Sequence, residues 1–265
     1  MKRLMILGYF LLSVFSVFAS DAEVRLAEAE RCYREGMDLL ATDADEAVRL
    51  LEKSEGLYRR IAETYPNASV YLCMGNAAFL RKDFPRAVYY YREALSFRDS
   101  AEIRGALNAA RSHLNERIEI PLQVRIFENV FFFHFRIPAG GRLITLYLFF
   151  AVTVLSGSVM IYKGYAGRGI RTVLTVALIC FMCNLISVGI TTAETVKYRD
   201  AVLLSETEGR SGDHPVYETV YLRPIPAGSE ATVLESRPGW YRVRLRDRSK
   251  CWVPRESLSV IGETP

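Results

Sequence analysis

Two stretches of this chain leave little choice of surroundings. Leu143 to Tyr162 (LITLYLFFAVTVLSGSVMIY) runs 20 residues without a charge, and Thr172 to Ala193 (TVLTVALICFMCNLISVGITTA) runs 22. A helix rises about 1.5 Å per residue, so each spans roughly 30 Å, the thickness of a hydrocarbon core. Core helices of soluble domains rarely run so far uncharged, and the stretches read as membrane spans over 143–162 and 172–193. The segment 163–171 between them (KGYAGRGIR) carries Lys163, Arg168 and Arg171 and no acid, which places it in the cytoplasm by the positive-inside tendency. Arg125, Arg136 and Arg142 lie on the other side and pull against that orientation.

The N-terminus decides in its favour. Lys2 and Arg3 precede an apolar run from Leu4 to Phe18, with a small-residue cleavage site around Val17-Phe18-Ala19. That pattern is a signal peptide over 1–19, with an uncleaved anchor helix as the alternative; either one exports the helical segment after it. At 265 residues the chain holds two or three structural units. A net charge of +4, from 34 basic and 30 acidic residues, gives no footprint for nucleic acid. A mean hydropathy of +0.08 in a chain with 24% charged residues means that the apolar residues are gathered in blocks. Five cysteines, an odd number, set up no disulfide framework. Cys32 and Cys73 lie in helices that could pack together. Cys180 and Cys183 spell C-x-x-C inside the second span, where no cation lowers a thiol pKa; they are expected as small residues packing on the other span. Cys251 falls in the last domain.

From Ala22 to Leu114 the period is helical. Gly75 is followed by Ala78, Phe84, Ala87, Tyr91 and Ala94, at 3, 9, 12, 16 and 19 residues. The small residues leave room where two antiparallel helices touch, and Phe84 and Tyr91 fill the space between them. Pro85 then sits in the first turn of the second helix, where its missing N–H costs nothing. These intervals match the 34-residue tetratricopeptide pattern. Upstream, Arg25 to Leu40 and Glu46 to Tyr65 read as a looser hairpin ending at Pro66, with Gly36, Ala47 and Tyr58 in the small and aromatic roles. Downstream, Ser100 to Leu114 reads as a capping helix with Ser100 as N-cap and Glu102 solvated in its first turn. Tyr89 and Tyr90 are expected at the surface or in packing between repeats. The resemblance to tetratricopeptide arrays implies a protein-binding groove on the first helix of the strong repeat, at Ser69, Leu72, Cys73, Asn76 and Phe79. Asn76 falls where some members hold a peptide carboxylate, but Leu72 and Cys73 stand where a lysine partner would be needed, so no such clamp is assigned.

The segment 115–142 carries Phe131, Phe132, Phe133, His134 and Phe135 just before the first span. Such rings favour the membrane interface, with Arg125 and Arg136 at lipid headgroups. After the second span the period becomes two: EATVLES and WYRVRLRD alternate, separated by RPG. Over 200–262 the chain resembles bacterial SH3-type domains, in Arg210-Ser211-Gly212, Pro226-Ala227-Gly228, Gly239-Trp240 and Trp252-Val253-Pro254. It departs from them at Cys251, where the family has Gly, and at Asp247-Arg248, where it has Asp-Gly; both departures fall on the final tight turn. Trp240, Val243, Leu245 and Trp252 are expected in the core. Some domains of this type bind cell-wall peptides.

The whole order resembles the BatE-like members of the Bacteroides aerotolerance (Bat) operon family. The fold class expected is a multidomain membrane protein with all-α tetratricopeptide hairpins, a two-helix transmembrane hairpin and a small all-β SH3-like barrel. The resemblance implies an inner-membrane protein with both soluble domains in the periplasm. The partners it implies are von Willebrand factor A-type Bat proteins, a BatD-type protein and a MoxR-type ATPase, in envelope stress or oxygen tolerance. A scaffold of this kind is the first functional expectation, and peptidoglycan binding through the SH3-like domain the second. An enzyme is the third and is disfavoured: His113, His134 and His214 lie in separate segments, with no nucleophile elbow, phosphate loop or metal-ligand spacing. No catalytic residue, cofactor or metal is called for.

Overall fold

The computed structural model describes residues 23–114, 121–130, 137, 139–164 and 167–263. The expected signal peptide and the aromatic cluster at Phe131 to Phe135 lie outside these residues. The chain forms two compact units: one holds the helices up to Leu114 and the chain from Asp200 onward, the other is Glu119–Arg199.

The first unit begins with α1 (residues 23–39), α2 (Ala44–Thr64), α3 (Ala68–Leu80), α4 (Phe84–Phe97) and α5 (Ala101–Ser112). Four of the helix starts are fixed locally by a side-chain acceptor. Asp43 takes the Glu46 N–H at 3.1 Å, Asn67 those of Ser69 and Val70, Asp83 that of Arg86 and Ser100 that of Ile103. Each satisfies a donor that the first helical turn leaves open. Only Arg81 to Asp83 separate α3 from α4, with Lys82 at φ 63 in the turn. The two helices therefore run antiparallel, and three contacts give their register. From the open end to the turn, Tyr71 stacks on Phe97 (5.5 Å between ring centroids), Tyr91 lies on Gly75, and Phe79 meets Phe84 at 5.5 Å. A β-carbon on Gly75 would stand 2.5 Å from the Tyr91 ring, so only glycine admits this approach.

α1 and α2 form a second antiparallel pair. Ser54 Oγ donates to the Ala29 carbonyl at 2.9 Å, Lys53 pairs with Glu28 at 2.7 Å, and Gly36 lies against Ala47 and Leu51. Tyr58 enters the core that the helices share, with Ala29, Met74, Ala78, Ala87, Tyr91 and Ile103.

Five strands complete this unit: β1 (Arg199–Leu203), β2 (Glu230–Arg237), β3 (Trp240–Leu245), β4 (Lys250–Pro254) and β5 (Leu258–Val260), in the order β4-β3-β2-β1-β5. The β1/β5, β2/β3 and β3/β4 pairs are antiparallel, with a bulge between Val233 and Glu235. Arg210, in the long connection after β1, exchanges backbone hydrogen bonds with Trp252 at 2.8 and 2.7 Å and so covers the outer edge of β4. Exposed edges invite unwanted pairing, and this one is closed within the chain.

Two sequence expectations about the sheet need correction or qualification. Trp240 is not in the core. Tyr241, Val243 and Leu245 point inward, and a period of two puts Trp240 with Arg242 and Arg244 on the other face. Trp252 is buried, but outside the main apolar cluster and under the Arg237 guanidinium, 4.7 Å from its ring. The departures at the last turn are absorbed. Arg248 adopts φ 68, and Asp247 accepts from the Ser249 N–H at 3.0 Å and from the Tyr221 hydroxyl at 2.7 Å. Cys251 is buried in the core opposite Gly209, where a β-carbon would come within 2.9 Å of its sulfur.

In the second unit, α6 (Leu122–Val130) precedes α7 (Ala139–Lys163) and α8 (Arg168–Lys197). The long helices overrun the uncharged stretches at both ends, leaving a short turn marked by Gly164 at φ 65. Gly140–Lys163 and Arg168–Ala193 are each long and apolar enough to cross a membrane. They run antiparallel, as the pairs Arg142–Thr191 (2.6 Å), Asn184–Thr145 (3.0 Å) and Phe150–Phe181 (5.8 Å between centroids) show. Ala177, Asn184 and Ser187 lie in the seam, whereas Cys183 is exposed. Its expected packing on the other helix fails because it directly precedes the buried Asn184, and neighbouring residues on a helix point about 100° apart.

Candidate functional site

The expected groove follows one face of α3. Ser69 is exposed in its first turn, and Leu72, Cys73, Asn76 and Phe79 are half-buried along it. Cys73 marks where this face runs. Burial pushes its thiol above the usual range, opposed by a hydrogen bond from Tyr58 and reinforced by Glu30 of α1 and Glu102 of α5. A protonated, acid-flanked thiol is a poor nucleophile, so this surface suits contact better than thiol chemistry.

The groove residues are not equally free. Asn76 Oδ1 accepts from the Tyr91 hydroxyl at 2.8 Å, which ties it to α4. Phe79 is edge-on to Phe84 and to His113 at 5.4 Å, and His113 stacks on Phe84 at 4.7 Å. Phe84 therefore closes the turn end of the hairpin, while Ala78, Ala87, Tyr91 and Ala94 line its buried seam. Ser69 and Leu72 remain as the groove positions with no such internal tie among the described residues.

A cluster that the sequence reading missed joins α2, α4 and the turn between α3 and α4. Glu55, 3% exposed, receives Arg59 at 2.7 Å, Arg81, and the Tyr90 hydroxyl at 2.7 Å. Burial, and next the Glu55 charge, raises the Tyr90 hydroxyl above its ordinary pKa. Tyr89 is buried as well and donates to Glu93 at 3.2 Å. The one hint in the sequence was the Glu55–Arg59 spacing of four, which is usually a solvated surface pair.

The helices and the sheet meet in a polar joint. β1 is buried on both faces: Ala201 and Leu203 enter the sheet core, and Val202 enters the helical core. Arg111 grips the Glu230 carboxylate with two bonds at 2.7 and 2.8 Å, and Arg92 pairs with Asp200. Glu93 accepts the Gly262 N–H at 2.8 Å. Burial raises the Glu93 carboxyl above the usual range, partly offset by the Gly262 and Tyr89 bonds.

The sheet carries an open cleft of about 1030 Å³, walled by Trp240, Pro215, Pro224 and Pro254 with Glu206 and Arg255 at its rim. Arg255 lies over the Tyr241 ring at 5.2 Å. Burial pushes the Cys251 thiol up to about 12, which makes it a packing group. His214 accepts the Val216 N–H, and His134 lies outside the described residues. Among the described residues no group of three metal-binding side chains occurs. No protein-family model and no curated protein matches the chain.

Proposed function

We propose that this protein is a membrane-anchored scaffold whose helical face docks other proteins. The carrying observation is the joint between helices and sheet. Chain from before and after the two apolar helices packs into one unit, through Arg111–Glu230 and Glu93–Gly262. If the apolar helices cross a bilayer, such a unit forms only when they return the chain to the side it left. Two antiparallel crossings do this. The α1/α2 and α3/α4 hairpins with α5 support the tetratricopeptide reading, and the closed edge of the sheet supports the SH3-like one. On the Bat-type resemblance, the unit lies in the periplasm of an inner-membrane protein. Its partners would be von Willebrand factor A-type and BatD-type proteins and a MoxR-type ATPase.

Mild-detergent pull-down of the full chain should recover other membrane proteins. Ser69→Arg with Leu72→Glu should reduce that recovery several-fold while the helical content stays unchanged. Equal recovery by the variant would remove the groove from the account.

The cleft at Trp240 favours a second reading, in which the sheet holds a cell-wall peptide. Aromatic and proline walls suit such a ligand. The full chain in detergent should then sediment with purified peptidoglycan, and Trp240→Ala should leave it in the supernatant. Co-sedimentation that is indifferent to Trp240 would count against this cleft.

A further inference from the structure

Among the described residues, Arg142 is a buried charge with no charged partner. It is 7% exposed in the first turns of α7, and its Nη1 donates to Thr191 Oγ1 at 2.6 Å and Ser187 Oγ at 3.4 Å. Both acceptors are neutral, and its buried Nε has no partner. The sequence from Ile137 to Ala193 contains no Asp or Glu. Guanidinium stays charged at any physiological pH, so among the described residues this fixed positive charge meets no anion. Buried arginine within a crossing segment marks a functional site whose partner must be sought.

Its depth narrows the partner. Arg142 lies two residues inside Gly140, and Thr191 two residues inside Ala193, where the crossing segments end. At 1.5 Å per residue that is about 3 Å from the boundary, the level of lipid phosphates. Asn184 lies about 14 Å from the Ala193 end, beyond headgroup reach, and its amide is engaged with Thr145. A phosphodiester brings one negative charge and two acceptor oxygens, which match a guanidinium's charge and its fork of donors. A zwitterionic headgroup brings its own ammonium and compensates less.

Resting on the membrane reading above, we infer that Arg142, held by Thr191 and Ser187, binds the phosphate of an anionic phospholipid at the open end of the α7–α8 hairpin. The test uses the purified full chain in mild detergent with phosphatidylglycerol or phosphatidylcholine added, followed by thermal melting and native mass spectrometry. Wild type should retain one phosphatidylglycerol per chain and melt higher with it than with phosphatidylcholine. Arg142→Gln should lose both effects and Arg142→Lys should keep part of them. Inorganic phosphate in excess should give no shift. Thr191→Val, which keeps the charge but removes its best acceptor, should weaken retention several-fold if Arg142→Gln fails to fold.

Lipid preference unchanged in Arg142→Gln, or in Thr191→Val where only that variant folds, would overturn the site. So would equal shifts with both lipids, or a shift reproduced by phosphate alone. A carboxylate from another helix as the true partner would appear as the first of these outcomes. Release of wild type from membranes by alkaline carbonate would remove the membrane reading itself. Retention without Arg142-dependent lipid binding would remove only this inference.

Discussion

The α3–α4 and α7–α8 hairpins are built on the same plan and buried in opposite senses. Between α3 and α4 the seam is Gly75, Ala78, Ala87, Tyr91 and Ala94, with Lys82 and Arg98 outside. Between α7 and α8 the buried residues include Arg142, Asn184 and Ser187, while Leu148, Ile161 and Ile186 face outward. Water rewards the first arrangement, because apolar surface leaves the solvent. Hydrocarbon supplies no such force between helices, and hydroxyl and amide contacts then hold them together. The inversion says more about the surroundings of α7 and α8 than their length does, since a long core helix would also be apolar but would not keep its polar groups inside.

The most severe test of this contrast is the charged cluster around Glu55, buried among the helices of the first unit. Glu55→Ala leaves Arg59 and Arg81 without their carboxylate and should cost about 3–5 kcal/mol in urea denaturation followed by helical circular dichroism. A loss under about 1 kcal/mol would mean that this unit tolerates uncompensated charge as the apolar hairpin does. Next comes glycine. Gly75→Val drives a side chain into Tyr91 and should cost about 1–3 kcal/mol, with Tyr91→Leu restoring part of it. Gly157→Val in α7 has open space around it and should leave the melting temperature in detergent nearly unchanged. Equal effects at the two glycines would erase the difference between the seams.

Glu93 offers a gentler probe through pH. Its folded carboxyl holds a proton more tightly than the unfolded one, so its contribution is present at low pH and is lost as pH rises through the folded value. Compared with Glu93→Gln, wild type should therefore gain stability as pH falls from 7 towards 5, read from paired urea titrations. A constant gap would show that the carboxyl is not buried at the joint. The smallest effect is expected at the last turn, where Arg248→Gly should stabilise by about 0.5–1 kcal/mol by relieving a left-handed residue.

Much of this was legible because it is local. Apolar runs, the cap at Ser100 and the Gly75–Tyr91 spacing each depend on a few neighbouring residues. Trp240 was legible too and was misread, since its parity with Arg242 already placed it off the core face. Other features were beyond reach. Val202 enters the helical core only because β1 docks there, and nothing within Ala201 to Leu204 names that partner. Glu55 offers only its spacing from Arg59, because Arg81 and Tyr90 reach it from the α3–α4 turn and from α4. Gly209 and Cys251 show the same limit, since their close approach across the core cannot be read from either residue alone. For the groove, the resemblance to tetratricopeptide arrays implied one α3 face, but not that Asn76 and Phe79 would be engaged by Tyr91 and His113.

The central claim is that chain from both sides of a two-pass hairpin packs into one unit on one face of the membrane. Arg111→Cys with Glu230→Cys in the membrane-embedded full chain, treated with a short bis-maleimide, tests it most directly. The account predicts a linked peptide pair by mass spectrometry. Absence of the link, with each cysteine still labelled singly by a mono-maleimide, would contradict it.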